Sequence, residues 1–137
     1  MARSTKYAAI PMLMTLLLLA GCHTGNRHSH FENHPKAVAS PFKFVWGGDL
    51  IHYDAFDQYI WDTNWDEVFI EFSAYDFIGE FCVEIYDGVG DLVFADTYFG
   101  VGGDLFVSTQ TKIGFSGNWV IEISSFDLTG DVQLTLD

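Results

Sequence analysis

The stretch that decides the fold of this chain covers residues 81–95 and reads FCVEIYDGVGDLVFA. Apolar residues occupy every second position of Phe81–Tyr86, which is the period of a half-buried β-strand. The centre of the stretch, Asp87–Asp91, contains two glycines, and glycine adopts a positive φ at little cost. Strand-like residues resume over Leu92–Ala95. The stretch therefore predicts a β-hairpin whose turn lies at Asp87–Asp91.

Strand-like segments recur on both sides of this hairpin. They are Phe42–Trp46, Tyr59–Trp61, Val68–Phe72, Leu105–Val107, Trp119–Ser124 and Val132–Leu136. Turn signals separate them every ~8–12 residues, a spacing typical of β-sandwiches. No segment after residue 22 has the apolar stripe of an amphipathic helix over three turns. The sequence therefore predicts an all-β domain over residues 42–137, an antiparallel two-sheet β-sandwich of about eight strands.

Several of these strands resemble the bacterial pre-peptidase C-terminal domain family. Val83–Val93 is similar to its hairpin of strand, D-G-x-G turn and strand, and Gly117–Ile123 is similar to its G-x-aromatic strand. Gly130–Leu136 resembles its terminal strand, although Val132 stands where tyrosine is usual. Asp57–Trp61 is similar to its early D-x-Y strand.

This resemblance covers most of residues 45–137 and implies a jelly-roll-like sandwich without catalytic activity. Members of the family are usually appended to secreted enzymes, and some bind calcium or polymeric substrates. The sequence shows no catalytic domain beside the sandwich. The resemblance therefore does not imply that this domain assists an enzyme to which it is attached. Likeness of fold alone does not establish function.

The N-terminus has the pattern of an export signal. Arg3 and Lys6 precede an apolar run over residues 8–20, which is shorter than the ~20 apolar residues of a transmembrane helix. The run ends in Leu19-Ala20-Gly21-Cys22, which resembles the bacterial lipobox. The resemblance implies cleavage before Cys22, a diacylglycerol on its thiol, and an acyl chain such as palmitate on its new amine.

The sequence thus divides into three predicted parts: a lipoprotein signal peptide over residues 1–21, a flexible tether over residues 22–41, and the sandwich over residues 42–137. The tether is polar and aperiodic, which is typical of a linker. It contains His23, His28, His30 and His34. Imidazoles bind zinc, copper or nickel, but a metal site needs ligands that the protein orients. We therefore favour a polar linker over metal capture.

The charge balance excludes one class of partner. The chain has 19 acidic and 6 basic residues, for a net charge of −13, and loss of residues 1–21 would leave −15. Such a surface repels phosphate backbones and anionic headgroups, so we expect no nucleic-acid partner and an attachment to the membrane through the lipid. The acids either keep an aromatic-rich surface soluble or hold a hard cation such as calcium.

Three aspartates are the candidate calcium ligands: Asp87, Asp91 and Asp127. Each flanks a predicted turn, and loops at one edge of a sandwich can converge to supply the six to eight oxygens that calcium takes. The alternative is local, because aspartate side chains commonly accept hydrogen bonds from neighbouring backbone amides in turns. The spacing of an EF-hand is absent from the sequence.

The positions of two tryptophans and of the second cysteine suggest what these residues do. Trp61 and Trp65 straddle a polar break, so they either stack on a sugar ring as a binding site or cap the end of the core. Trp119 alternates with apolar residues and is predicted to lie in the core. With Cys22 acylated, Cys82 has no partner within the chain, and it is predicted to be a buried, structural thiol, with a disulfide to another chain as the alternative.

The sequence contains no catalytic motif of the nucleophile-elbow, zinc-protease or P-loop type, so we expect no enzymatic activity. We expect a lipid-anchored protein of the bacterial cell envelope whose sandwich is a non-catalytic domain for binding or for envelope architecture, such as an adaptor that contacts another envelope protein. The alternative is a calcium-dependent module that binds carbohydrate or peptide. His23, rather than aspartate, follows Cys22, which favours the outer over the inner membrane.

Overall fold

The computed structural model describes residues 33–137, which contain five strands and no helix. The strands are β1 (Lys36–Ser40), β2 (Lys43–Thr63), β3 (Phe69–Tyr86), β4 (Leu92–Gln110) and β5 (Gly117–Leu136). They form one sheet in the order β1-β2-β5-β3-β4, and every neighbouring pair is antiparallel. The predicted all-β, antiparallel class is confirmed. Within this part of the chain, no helix is long and apolar enough to cross a membrane.

The strand count differs from the prediction because four strands are unusually long. β2, β3, β4 and β5 have 21, 18, 19 and 20 residues, and a straight strand of that length would extend ~65 Å. Instead each folds back on itself. Phe44 and Trp61 lie in opposite halves of β2, yet their ring centroids are 6.2 Å apart. Phe72 and Phe81, in opposite halves of β3, stack at 4.5 Å.

The halves of the long strands form two layers. The first layer holds β1 and residues 43–50, 69–75, 103–110 and 128–136, and the second holds residues 53–63, 78–86, 92–100 and 117–125. The predicted short strands correspond to these halves. The structure has two layers of one continuous sheet instead of two separate sheets with eight strands, because the strands pass through the bend without breaking.

The bend is built from irregular backbone at the middle of each long strand. The ladder registers shift beside Tyr53 and Ile78, and β-bulges of this kind increase the local twist and bend a strand. Three residues other than glycine have a positive φ here: His52 (49°), Asp76 (51°) and Asp127 (47°).

At the bend, some backbone N–H groups no longer pair with the backbone of the neighbouring strand. Side-chain oxygens of neighbouring strands accept hydrogen bonds from them instead. Thr129 Oγ1 accepts from the N–H of His52 at 2.9 Å. Asp54 Oδ1 accepts from Asp127 at 2.8 Å, and Asp104 Oδ1 accepts from Asp76 at 3.1 Å. These side chains replace the ladder partners of the three amides, so Thr129, Asp54 and Asp104 have a structural role at the bend.

The core lies between the layers and is rich in aromatic rings. Trp46, Phe72, Phe81 and Tyr98 pack together, with ring centroids of successive neighbours 4.5–6.4 Å apart. Trp119, predicted to be a core residue, is fully buried. Aromatic side chains bury large apolar areas, so this column stabilises the contact between the two layers.

The first residues of the domain differ from the predicted tether. Lys36–Ser40 pairs with residues 43–47 of β2 as an edge strand, although residues 22–41 were predicted to be flexible. Asn33 is buried and bonds the backbone of Ile51, accepting from its N–H at 2.8 Å and donating to its carbonyl at 2.5 Å. The predicted signal peptide, the rest of the tether and Cys22 lie outside the described residues.

The path of the strands gives the molecule two different ends. Each long strand starts and finishes at the same end, so the connections at residues 41–42, 64–68, 87–91 and 111–116 gather there. We call this the loop end. The bend forms the opposite end, and Asn33 joins the domain at the bend through Ile51.

Candidate binding site at the loop end

Hydrogen bonds join the connections of the loop end to one another. The indole N–H of Trp65 donates to the carbonyl of Phe42 at 3.1 Å, which links residues 41–42 to residues 64–68. The N–H of Gly114 donates to the carbonyl of Asp66 at 2.7 Å, which links the second of these loops to residues 111–116. The three connections therefore form one supported surface.

Asp87 attaches the fourth connection to this surface. Its Oδ1 accepts from the N–H groups of Val89 and Asp91 at 3.1 and 2.9 Å, and its Oδ2 accepts from Phe115 at 2.9 Å. Burial acts to raise the pKa of this carboxyl, but the backbone N–H groups outweigh burial and hold the pKa below its ordinary value. Asp87 is thus an ionised residue that organises the loops.

Large apolar side chains project from these loops into solvent. We call the following set the loop platform: Phe42, Trp65, Val89, Ile113 and Phe115. Their exposed fractions range from 41 % for Trp65 to 74 % for Ile113. The Phe42 and Trp65 rings meet edge to face with centroids 6.2 Å apart. Contiguous exposed apolar surface is a common feature of interaction sites, so the loop platform is the candidate site at this end of the domain.

The two predicted sugar-stacking tryptophans lie in different environments. Trp61 is 1 % exposed, donates its indole N–H to the carbonyl of Ser40 at 2.6 Å, and contacts Trp119 edge to face. It caps the core and has no face available for a ligand, which corrects its predicted place in a binding site. Trp65 is exposed and belongs to the loop platform.

The three predicted calcium ligands do not come together. Asp87 and Asp91 share the turn at the loop end, whereas Asp127 lies at the bend and forms a 2.6 Å contact with the imidazole of His52. Both carboxylate oxygens of Asp87 already accept from backbone amides. Among residues 33–137, no three histidine, cysteine or acidic side chains are placed to hold a metal ion.

Cys82 lies on the outer face of the second layer. It is 1 % exposed, which confirms the predicted burial. Its sulfur is disulfide-bonded, so the prediction of an unpaired thiol is wrong. Cys22, the other cysteine of the sequence, lies outside the described residues.

Sequence reasoning missed four members of the loop platform: Phe42, Val89, Ile113 and Phe115. Their positions carried a signal, because each stands beside proline or glycine in a connection, where a polar residue is the usual choice. Phe42 was instead assigned to a strand. The alternation of apolar and polar residues identifies strands, but it gives no information about an apolar residue that lies in a turn.

Comparison with known proteins adds no relative. No family model matches the chain, and no curated protein matches it. The resemblances to the lipobox and to the pre-peptidase C-terminal domain family therefore stay predictions.

Proposed function

We propose that this protein is a lipid-anchored component of the bacterial envelope whose domain is a non-catalytic adaptor. In this proposal the loop platform binds another envelope protein. The observation that carries it is the position of five exposed apolar side chains on hydrogen-bonded loops, at the end of the domain opposite to the point where the chain enters.

The chemistry of the loop platform supports a protein partner. Exposed aromatic residues such as Phe42, Trp65 and Phe115 are the side chains that contribute most to protein interfaces. Hydrogen bonds already hold their loops in place, so binding orders little additional chain. Exposed acids, Asp66 and Asp91, lie on the same connections, and they favour a partner with basic residues around its own apolar contact.

The direction of the domain supports a partner away from the membrane. A lipid on Cys22 would lie eleven residues before Asn33, and a flexible segment of that length has a root-mean-square reach of ~17–20 Å. Because Asn33 joins the domain at the bend, the bend would face the headgroups. A half-strand of about nine residues adds ~30 Å. The loop platform would then point outward from the membrane.

The family resemblance is part of the same proposal. Two face-to-face layers give the domain the form of a β-sandwich, which is consistent with a jelly-roll-like relative of the pre-peptidase C-terminal domains. The proposed placement is the outer membrane, from the histidine that follows Cys22.

Lipidation has a consequence for the disulfide of Cys82. The chain has two cysteines, and a sulfur in a thioether to a lipid cannot also join a disulfide. In the acylated protein of this proposal, Cys22 carries the lipid and therefore does not form a disulfide with Cys82. A disulfide between the two cysteines of this chain would leave no thiol for the lipid.

The experiment compares wild-type protein, Cys22→Ser and Phe115→Ser in cells. We expect wild-type protein in the membrane fraction with a lipid-sized mass increase on its N-terminal peptide, and Cys22→Ser in the soluble fraction. We expect Phe115→Ser to stay at the membrane and to lose the envelope protein that co-purifies with wild type. Val38→Ser, an exposed site on β1, is the matched control and should retain it. Sedimentation of Cys22→Ser with membranes would contradict the anchor, and an unchanged partner in Phe115→Ser would contradict the adaptor surface.

A further inference from the structure

A groove of about 320 Å³ runs along the outer face of the first layer, and none of the loop-platform residues lines it. It crosses β5, β3 and β4. The side chains that line it are Glu71, Ser73, Phe106, Ser108, Gln133 and Thr135.

The strand register explains how these side chains meet. Directly paired residues share a face of a sheet. Glu71 pairs with Thr135 on one side and with Ser108 on the other. The next outward-facing row pairs Ser73 with Gln133 and with Phe106. Two adjacent rows therefore place a carboxylate, an amide and hydroxyls around one trough.

An exposed aromatic pair includes Phe106, which lines the groove, and Tyr75 beside it. Tyr75 and Phe106 are 48 % and 62 % exposed, and their rings meet edge to face with centroids 5.4 Å apart. Both side chains point away from the core, so neither contributes to the packing between the two layers. The groove thus combines an exposed apolar platform with a few convergent polar groups, which is the composition of small-ligand sites.

We propose that this groove binds a neutral saccharide chain. The C–H face of a pyranose ring would pack on Phe106 and Tyr75, while sugar hydroxyls would hydrogen-bond to Glu71, Gln133 and the hydroxyl side chains. Glu71 lies within the groove, and the chain as a whole has a net charge of −13. That charge repels sugars that carry carboxylate or phosphate groups.

The backbone around the groove argues against a peptide in the same place. An extended peptide gains affinity mainly from main-chain hydrogen bonds to a sheet edge. β5 and β3 are each paired on both sides, β5 with β2 and β3, and β3 with β5 and β4. Their main-chain groups are therefore occupied beneath the groove, whereas β4, whose residues also line it, is an edge strand with one unpaired side. Within the groove itself, side chains supply the hydrogen bonds, which suits the many hydroxyls of a saccharide.

The test is calorimetric titration of the full acylated protein in detergent micelles. The probes are neutral hexasaccharides of β-linked glucose, xylose and N-acetylglucosamine, with an oligogalacturonate and an unstructured hexapeptide as the other arms. We expect saturable binding of at least one neutral hexasaccharide and none of the anionic one. Phe106→Ala and Glu71→Ala should each weaken that binding by about tenfold or more, with unchanged circular dichroism.

Phe115→Ala on the loop platform is the control and should bind the hexasaccharide as wild type does. The proposal is overturned if no neutral hexasaccharide binds, if only the peptide or the anionic sugar binds, or if Phe106→Ala binds as tightly as wild type. These outcomes are separate from the adaptor proposal, which concerns the loop platform and is tested through Phe115→Ser.

Discussion

At the scale of single residues, two aspartates of this domain have opposite environments. Asp87 accepts from backbone N–H groups on both carboxylate oxygens, and its pKa lies below the ordinary value despite its burial. Asp57 lies beside the core and accepts from the hydroxyl of Tyr53 at 2.8 Å. Burial raises the pKa of Asp57, and this one hydrogen bond only partly opposes the rise. The number of donors, not the residue type, decides which charge state the fold favours.

Asp87→Asn should lower the thermal unfolding midpoint at pH 7 by several degrees, because an amide nitrogen cannot accept from Phe115 as Asp87 Oδ2 does. A carboxyl whose folded pKa is lowered stabilises the fold above its ordinary pKa, and this contribution is lost as the pH falls through the folded pKa. The difference between wild type and variant should therefore shrink in acid. Thermal scans from pH 7 to pH 2 measure it, with the exposed Asp91→Asn as control. A difference that grows in acid would contradict this role of Asp87.

Asp57→Asn should raise the midpoint at pH 7 by a few degrees. A carboxyl whose folded pKa is raised stabilises the fold below its ordinary pKa of 3.8, and this contribution is lost as the pH rises through the folded pKa. The neutral amide avoids that loss and keeps an oxygen for the hydroxyl of Tyr53. The same thermal scans provide the measurement, and a lower midpoint for Asp57→Asn at pH 7 would show the assignment to be wrong.

At the scale of elements, the bend determines the architecture. Gly79, at the bend of β3, has a φ of 100°, and a Cβ there would lie 2.6 Å from the carbonyl oxygen of Phe126 in β5. Glycine is thus required both for its backbone conformation and for the close approach of the two strands. Gly103, at the bend of β4, has open space around the position of a Cβ and an ordinary φ.

Gly79→Ala should lower the free energy of unfolding by ~2–3 kcal/mol, because strained backbone and a contact with main-chain atoms add together. Gly103→Ala is the matched control and should change it by less than ~0.5 kcal/mol. Urea denaturation of both variants measures the difference. Equal stability of the two variants would mean that the bend of β3 does not depend on a glycine.

The halves of the long strands were predictable from the sequence, whereas their continuity was not. Alternation identified Phe81–Tyr86 and Trp119–Ser124 and placed Trp119 in the core. The glycine and the two aspartates within Phe126–Asp131 are typical of a turn between strands, and in the structure they lie at a bend within β5. Tight turns and β-bulges both use residues that adopt positive φ, as Asp127 and Gly130 do here, so local sequence does not distinguish them.

The candidate site was predictable only in part, because the exposure of a side chain depends on tertiary packing as well as on local sequence. Trp65 was identified because tryptophan beside acids suggested a binding role, but Trp61, four residues away, is buried against Trp119. Which of two neighbouring tryptophans faces solvent depends on the packing of β2 against β5. Residues 36–40 were assigned to a tether because a five-residue edge strand is too short to show alternation clearly.

At the scale of the whole molecule, the bend gives the domain a direction. The described chain enters at the bend, and all four connections lie at the loop end. With a lipid on Cys22, the bend would face the membrane and the loop platform would point away from it. Contact with a partner is therefore expected at the loop platform and not at the bend, although Val101 at the bend is 97 % exposed and Phe99 is 71 % exposed.

Photo-cross-linking in intact cells tests this claim most directly, with a photoreactive amino acid placed at Phe115 or at Val101 of the full-length protein. The account predicts a discrete cross-linked envelope protein from position 115 that disappears when Phe42→Ser is added, and no such protein from position 101. A discrete protein partner captured from position 101 and not from position 115 would contradict it.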